Sequence, residues 1–397
     1  MKRCRLTRFN IFFVWVTLLI GTYTLCGKWI QNLIGNSNKN VKDTIHLVAV
    51  SCGRPNYQGV RDIRKPLDLT LTMVKSAVLF AQSPLHVHIF TEDDMMPLFE
   101  AELSSWSKTK RERFKYKLYQ ANYDEYLPPS LVKDWKKWYK PCGSFRLFLP
   151  MILKDVTDAA IYTDSDVVFL KPIDQLWQQF ASFNERQVAS ISPTAGHPLR
   201  GSRYNENFIS HSSGLFQVNT GIMMMNFTRM LNSKWRVFYD EKDETAEAER
   251  MTYGVELLLK YYEKYKDKAE HDQKLLNIMY HYNPDLLRQL SCSWNFKNNF
   301  CSDENNVCSD AESLEGASAV HGITSAFFGD VNPTFRALYE AFLKFDMLEG
   351  DPHELLQTFK SQLLSKAQGT YCAEKSDVIS RPLARSVKNL MTSTMNK

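Results

Sequence analysis

Low-complexity tracts are absent from this 397-residue chain, and no segment recurs at a fixed period. Solenoid, propeller and collagen-like arrays are therefore excluded. A strong charge of either sign is also missing. The chain carries 49 basic and 44 acidic side chains, a net of +5, and Lys2, Arg3, Arg5 and Arg8 supply four positive charges at the N-terminal tip. The remainder is near neutral, so no nucleic-acid footprint is present. No CxxC pair occurs and no histidine has matching spacing, which counts against structural zinc. Sequons are scarce too: Asn226-Phe227-Thr228 is the one match, and it ends an apolar run. Apolar residues, by contrast, make up 44% of the chain, ample for one large domain or two smaller ones.

The basic tip leads into an uncharged stretch from Phe9 to Gly27. Nineteen residues at ~1.5 Å each span roughly 28 Å, close to a bilayer's hydrocarbon thickness. Positive charge on the N-terminal side keeps that end cytoplasmic. The expected layout is a cytoplasmic tail (1–8), a transmembrane signal-anchor (9–28), a polar stem (29–44), a catalytic domain (45–370) and a loose polar tail (371–397). A cleaved signal peptide is the competing reading, but no small-x-small cleavage site follows the run. Of eight cysteines, six fall in the body: Cys52, Cys142, Cys292, Cys301, Cys308 and Cys372. An oxidising lumen permits disulfides, and Cys301 with Cys308, flanking a short polar loop, is the expected pair.

Residues 45–53 form a β-branched run closed by glycine, 69–81 have helical spacing, and 85–94 read as a second strand ending in acidic residues. Such alternation predicts parallel strands with helical crossovers. A helical segment is expected near Ser144–Leu153, strands at 188–193 and 214–227, mostly helix over 228–282, and amphipathic helices at 334–345 and 352–364. The polar, Gly/Ser-rich stretch before residue 214 is long for a loop.

Within "IYTDSDVVFL" (161–170), Asp164 and Asp166 interrupt an apolar run. Ligands of open α/β sheets bind beyond the carboxyl ends of strands. Residues two apart on an extended segment point the same way, and two carboxylates facing together repel. A divalent cation relieves that repulsion. Hard oxygen donors suit Mg²⁺ or Mn²⁺, held together with substrate phosphates. The bland reading is a turn in which aspartates cap backbone groups; the apolar flanks speak against it. Glycosidase chemistry fits poorly, because its two carboxylates stand ~5 Å apart across the sugar.

These segments, with "CGSFRLFLPMIL" (142–153), "FQVNTGIMMMN" (216–226), "HDQKLLN" (271–277) and "VHG" (320–322) in that order, resemble retaining glycosyltransferases of family 8, the glycogenin-like group with a GT-A fold. "HLVAVSCG", "LTMVKSAVLF" and "NPTFRALYEAF" are similar to the animal glucoside xylosyltransferases. The resemblance spans about residues 45–345. It implies a mixed, mostly parallel sheet flanked by helices, and a metal held by Asp164, Asp166 and His321, with Mn²⁺ favoured and Mg²⁺ as the alternative. It places Arg146 beside a carboxylate or the donor phosphate, and Asp272 and Gln273 against the sugar. It assigns the UDP-sugar to Ala49, Val50, Cys52, Gly53, Ser165, Asn219, Thr220, Gly221 and Gly322. One departure stands out: the lysine that family members carry after the His-Gly pair is missing near Val331. The diphosphate would then rest on the metal, Arg146, backbone amides, Lys75 or Arg54. The implied reaction moves xylose from UDP-xylose to O-linked glucose on EGF repeats of Notch-like proteins, with retention, in the lumen of the endoplasmic reticulum or Golgi. The alternatives are another UDP-sugar, or an inactive donor-binding scaffold. Oligomeric state is not legible.

Overall fold

The computed structural model describes residues 44–55, 59–109, 113–139, 141–194, 217–237, 249–266, 269, 271–302, 308–329, 332–366 and 370–395. The expected tail, anchor and stem, and the long polar stretch before residue 217, lie outside them. Thr44–Lys397 form one compact unit. Among the described residues no helix is long and apolar enough to cross a membrane.

A seven-stranded sheet is the frame. Its strands are β1 (Ile45–Ser51), β2 (Leu85–Thr91), β3 (Phe114–Gln120), β4 (Ala159–Thr163), β6 (Ala189–Pro193), β7 (Val218–Asn226) and β8 (Leu287–Gln289), in the order β8-β6-β7-β4-β1-β2-β3. The pairings are parallel except those of β7, which runs antiparallel to both β4 and β6. The expected mixed, mostly parallel α/β sheet is thus present. The central strands are buried on both faces and read as continuous apolar runs, as crossover-covered strands do. One face packs on helix α1 (Arg64–Phe80), and the other on an aromatic layer that includes Trp135, Tyr139, Phe148 and Tyr262.

The chain does not stay extended through the aspartates. After β4 it turns at Asp164–Asp166 and re-enters as β5 (Val167–Phe169) of a second, three-stranded sheet, β9-β10-β5, with β9 at Phe296–Lys297 and β10 at Ala319–His321. The apolar flanks on the two sides of the triplet therefore serve two different sheets. Same-face alternation is not what aligns the carboxylates; a turn at a strand switch does.

The helical segment before the triplet comprises α2 (Pro141–Ser144), a 3₁₀ turn at Phe145–Leu147 and α3 (Leu149–Ile152), with Pro150 at the start of α3. The described part of 228–282 is mostly helical, as expected, with one interruption: Lys234–Arg236 pairs antiparallel with Arg250–Thr252 before the helices resume. Helix α4 (Asp272–Tyr282) follows, and α5 (Pro333–Lys344) and α6 (Pro352–Lys366) match the expected amphipathic pair.

Two further expectations fail. The C-terminal segment is not a loose tail: helix α7 (Asp377–Met395) buries Val378, Ile379, Leu383 and Val387, and the Ser386 hydroxyl donates to the Leu170 carbonyl at 2.6 Å. Positions 379, 383 and 387 recur every four residues, a helical stripe that a composition dominated by Ser, Thr and Lys conceals. The Cys301–Cys308 pairing is also wrong. The bonds are Cys52–Cys142, Cys292–Cys308 and Cys301–Cys372. Cys301 faces the C-terminal segment and Cys308 the turn after β8, a distinction that spacing along the chain does not contain.

Candidate active site

Four chain segments meet at the carboxyl ends of β1 and β4. Ala49 of β1 pairs with Thr163 of β4, and Thr163 with Ile222 of β7. Asp164 continues this ladder by one bond, its N–H donating to the Gly221 carbonyl at 2.8 Å. Across the strand switch, the Gly322 N–H donates to the Asp166 carbonyl at 2.8 Å. Both aspartates are thereby fixed by backbone, and His321 at the end of β10 is delivered to them by the β10–β5 pairing.

The three side chains converge. One ligand atom from each of Asp164, Asp166 and His321 lies within 4.8 Å of the other two. His321 Nε2 stands 3.3 Å from Asp166 Oδ1 and 3.8 Å from Asp164 Oδ2. A chain of hydrogen bonds sets the ring's tautomer. The Gly221 N–H must donate, so Asn219 presents its Oδ1 to it, at 3.1 Å. Asn295 then offers Nδ2 to that same Oδ1 (2.9 Å) and Oδ1 to His321 Nδ1 (2.9 Å). The Nδ1 proton is thus held by an amide, which leaves Nε2 as the nitrogen turned toward the carboxylates. An outer partner of this kind orients metal-ligating histidines generally. Two hard oxygens and one imidazole suit Mn²⁺ better than Mg²⁺, so the residues fit the expected ion. Asn295 carried no signal in the sequence, since an asparagine after a Ser-Trp pair reads as a turn.

Gly221 is part of the same device. A Cβ there would lie 2.1 Å from His321 Cε1 and 2.4 Å from Nδ1. The imidazole occupies the space a Cβ at 221 would take, which only glycine permits.

Arg146 anchors the opposite wall. It is 7% exposed. Its Nη1 donates to the Thr220 carbonyl and hydroxyl at 2.7 Å each, and its Nε to the Gly143 carbonyl at 2.9 Å. Nη2 stands 3.2 Å from Asp164 Oδ1 and Nε 2.7 Å from Asp272 Oδ2. That last contact is an ion pair without an aligned hydrogen, because the Nε–H points to Gly143; Asp272 Oδ2 is a buried acceptor lacking a hydrogen bond. Burial works against the Arg146 charge, but Asp164 and Asp272 outweigh it and raise its pKa. Burial also raises the Asp272 carboxyl, Arg146 opposes it, and Asp164 adds to the rise. Burial pushes Asp166 up as well; His321 and then Arg54 overcome this and leave it lowered. The Tyr162 hydroxyl donates to Asp164 Oδ1 at 2.8 Å, and its ring lies 4.7 Å beneath the guanidinium.

Asp272 opens α4, and Gln273 beside it accepts from the Thr220 N–H at 3.0 Å through Oε1. Its Nε2 hydrogens have no partner among the described residues and are left for a ligand. Ala49 and Val50 are buried at the end of β1, and Ser165 sits at the apex of the aspartate turn. The side chain of Cys52 is committed to Cys142, which ties the end of β1 to α2 and hence to Arg146. The Gly53 N–H donates to Glu92 at 2.7 Å, and Arg61 bridges Glu92 and Asp94, so tightly that a Cβ on Gly53 would lie 2.6 Å from Arg61 Nε. Gly322 is similarly closed by the Phe327 ring.

Lys75 does not belong to the site. Its Nζ donates to the carbonyls of Leu343 and Phe345 at 2.8 Å each, closing the C-terminal end of α5. As a cation for a diphosphate it is withdrawn. Arg54 remains: it is the nearer of the two residues weighed for that task, since its field reaches Asp166.

The model of a family described as "Glycosyl transferase family 8" matches residues 48–322, a span that contains each of these site residues. The chain belongs to glycosyltransferase family 8. Among curated family 8 relatives, glucoside xylosyltransferase 1 of Rattus norvegicus is 38% identical over 349 residues, covering 87% of this chain and 73% of that one. Glucoside xylosyltransferase 1 of Mus musculus is 36% identical over 349 residues, covering 87% and 79%. The crystal structure of mouse xyloside xylosyltransferase 1, apo form, has a TM-score of 0.48 at 16% identity, covering 71% of this chain and 99% of that one.

Proposed function

We propose that this family 8 glycosyltransferase moves xylose from UDP-xylose to a glucose O-linked to EGF-like repeats, with retention of configuration. In this reading it is a type II membrane protein of the endoplasmic reticulum or Golgi, its catalytic unit in the lumen. Identity of more than a third to two glucoside xylosyltransferases supports the sugar and acceptor. The observation that carries the chemistry is the convergence of Asp164, Asp166 and His321 within 4.8 Å at a strand end.

Those three residues would hold Mn²⁺, which when bound supplies positive charge to the diphosphate and to departing UDP. Arg146 fixes Asp164 and Asp272 on either side of the donor sugar's place. Gln273 offers its Nε2 hydrogens to a sugar hydroxyl. Asp272 is clasped by Arg146 and stands 3.0 Å from where a Cβ of Gly143 would sit. So confined, it acts as a fixed charge beside the anomeric carbon rather than as an attacking group. The C1–O bond to phosphate breaks, the C1–O bond to the acceptor forms on the same face, and the acceptor's proton passes to the leaving phosphate.

The test is turnover by the purified chain across a panel of UDP-sugars, with Mn²⁺ present or chelated and a glucosylated EGF repeat as acceptor. UDP-xylose should be preferred and chelation should abolish transfer. Preference for UDP-glucose or UDP-galactose would refute the sugar, and no turnover with any donor would refute enzymatic activity.

A further inference from the structure

Imidazole ligands in this protein are not confined to the site above. Three more stand together on one face of β1 and β2, from the start of β1 to the middle of β2. His46 is the second residue of β1, and Ala49, three residues on, is where the donor site begins; at ~3.3 Å per residue the two levels are about 10 Å apart. His46 pairs directly with His86 of β2, and His88 follows His86 by two. Register and period together force all three rings onto one face of the sheet. One nitrogen from each lies within 4.8 Å of the other two.

Stacked histidines on a sheet face are unusual fillers, because β-branched side chains pack there more cheaply. The details go further. His46 Nδ1 and His88 Nε2 are 2.9 Å apart, sharing one proton. The opposite nitrogen of His88, Nδ1, is held 2.9 Å from the Tyr119 hydroxyl on β3. That is the outer-partner arrangement that orients a ligating imidazole. His88 is fully buried, whereas His46 and His86 are half-buried, so the cluster has a rigid inner member and an open outer side. All three are kept neutral: burial lowers His46 to about 4 and His88 to about 3, and burial followed by Lys115 and Lys117 lowers His86. Neutral imidazoles can each present a lone pair once the proton between His46 and His88 has moved.

The geometry points to a second, transition-metal site, in which His46, His86 and His88 bind Zn²⁺ or a similar borderline ion, with water completing the coordination. Tetrahedral ligands at ~2.0–2.1 Å from zinc stand roughly 3.3 Å apart. The His46–His88 pair needs to open by only a few tenths of an ångström, and the shared proton moves to the outer nitrogen of half-buried His46, with none released. Three nitrogens and no carboxylate select against Mn²⁺, so this site and the Asp164–Asp166–His321 site sort two different metals. Bound metal would cross-link β1 to β2 at the edge where the described chain begins.

The test uses the full chain and Co²⁺, whose visible absorption reports nitrogen coordination, displaced afterwards by Zn²⁺. Wild type should bind one Co²⁺ beyond that taken by the carboxylate site. His46→Gln and His86→Gln, both at half-buried positions, should each lose that equivalent, or weaken it at least ~10-fold, while Mn²⁺-dependent turnover stays within twofold. Unchanged stoichiometry and spectrum in both variants would overturn the site. Should either variant fail to fold, Asp166→Asn in the full chain decides: Co²⁺ that still binds and yields to Zn²⁺ supports the cluster, and absence of bound Co²⁺ refutes it.

Discussion

Replacing Gly221 with alanine isolates the packing that delivers His321. The new Cβ would lie 2.1 Å from Cε1, 2.4 Å from Nδ1 and 3.0 Å from Nε2 of the imidazole, against the 3.4–4 Å of ordinary contact. The ring must retreat by about 1.3 Å, whereas metal–ligand distances tolerate only about ±0.2 Å. Misplacement of that size costs about 10²-fold in rate, equal to ~2.7 kcal/mol of barrier. Overpacking should separately cost ~1–3 kcal/mol of stability. Transfer from UDP-sugar measured across a Mn²⁺ titration reads the first effect, and thermal unfolding the second. The combination with His321→Ala separates them. Removing the ring vacates the space that the methyl needs, so the double variant should recover stability relative to Gly221→Ala while remaining inactive. That non-additivity is the signature of direct contact. Turnover, half-saturating Mn²⁺ and melting temperature all unchanged in Gly221→Ala would refute the described packing.

Four further outcomes are expected. Asn295→Leu removes the acceptor for His321 Nδ1; half-saturating Mn²⁺ should rise 10–100-fold, with turnover recovering at high Mn²⁺, and an unaltered titration would contradict the hydrogen-bond chain. Arg54→Gln should raise KM for the donor about tenfold with kcat nearly constant, as loss of a partner for diphosphate requires; an unchanged KM would leave that charge to the metal and Arg146. Truncation after residue 376 removes four buried apolar side chains of α7, each worth roughly 1.5–3 kcal/mol. That total rivals the whole stability of a domain, so the truncated chain should be insoluble or bind a hydrophobic dye, and a native melting curve would show the helix to be dispensable. Burial lowers Lys297 from 10.5 to about 7. The unfolded chain then holds a proton between pH 7 and 10.5 that the folded chain has shed, and stability rises with pH across that window by up to ~1.36 kcal/mol per unit. Urea unfolding at pH 7 and 8.5 should show the slope in wild type and a flatter one in Lys297→Met.

Strands and amphipathic helices were legible because their signals are local. The strand read over 45–53, the helix read over 69–81, which in the structure begins earlier at Arg64, and the pair of helices after 333 follow from periodicity alone. Asp164 and Asp166 were legible for a different reason: charge inside an apolar run is costly enough that its presence demands a partner. Sequence reading nonetheless misjudged how they are aligned, since a strand switching sheets and a strand carrying straight on have the same apolar flanks. Disulfide pairing, the destination of Lys75 and the role of Asn295 are set by contacts between segments 16 to 270 residues apart, where spacing holds no information. Gly221 lies between these cases. Its family position suggested a sugar neighbour, whereas its physical necessity comes from a ring 100 residues away.

Charge accounting explains why this corner of the fold needs something besides protein. Asp164, Asp166 and Asp272 bring three carboxylates, and Arg146 one guanidinium, into a space that is largely buried. Three carboxylates against one guanidinium leave an excess of two negative charges. A doubly charged cation matches that deficit, and a monovalent one does not. The diphosphate of a nucleotide sugar would add negative charge of its own, and no lysine follows the His-Gly pair near Val331 to meet it. Lys75 cannot meet it either, being bonded to α5 carbonyls. Arg54 is a long, exposed side chain whose field already reaches Asp166. On the proposed function, Arg54 in the turn after β1 is the side chain that would carry this charge, and Arg54→Gln tests it.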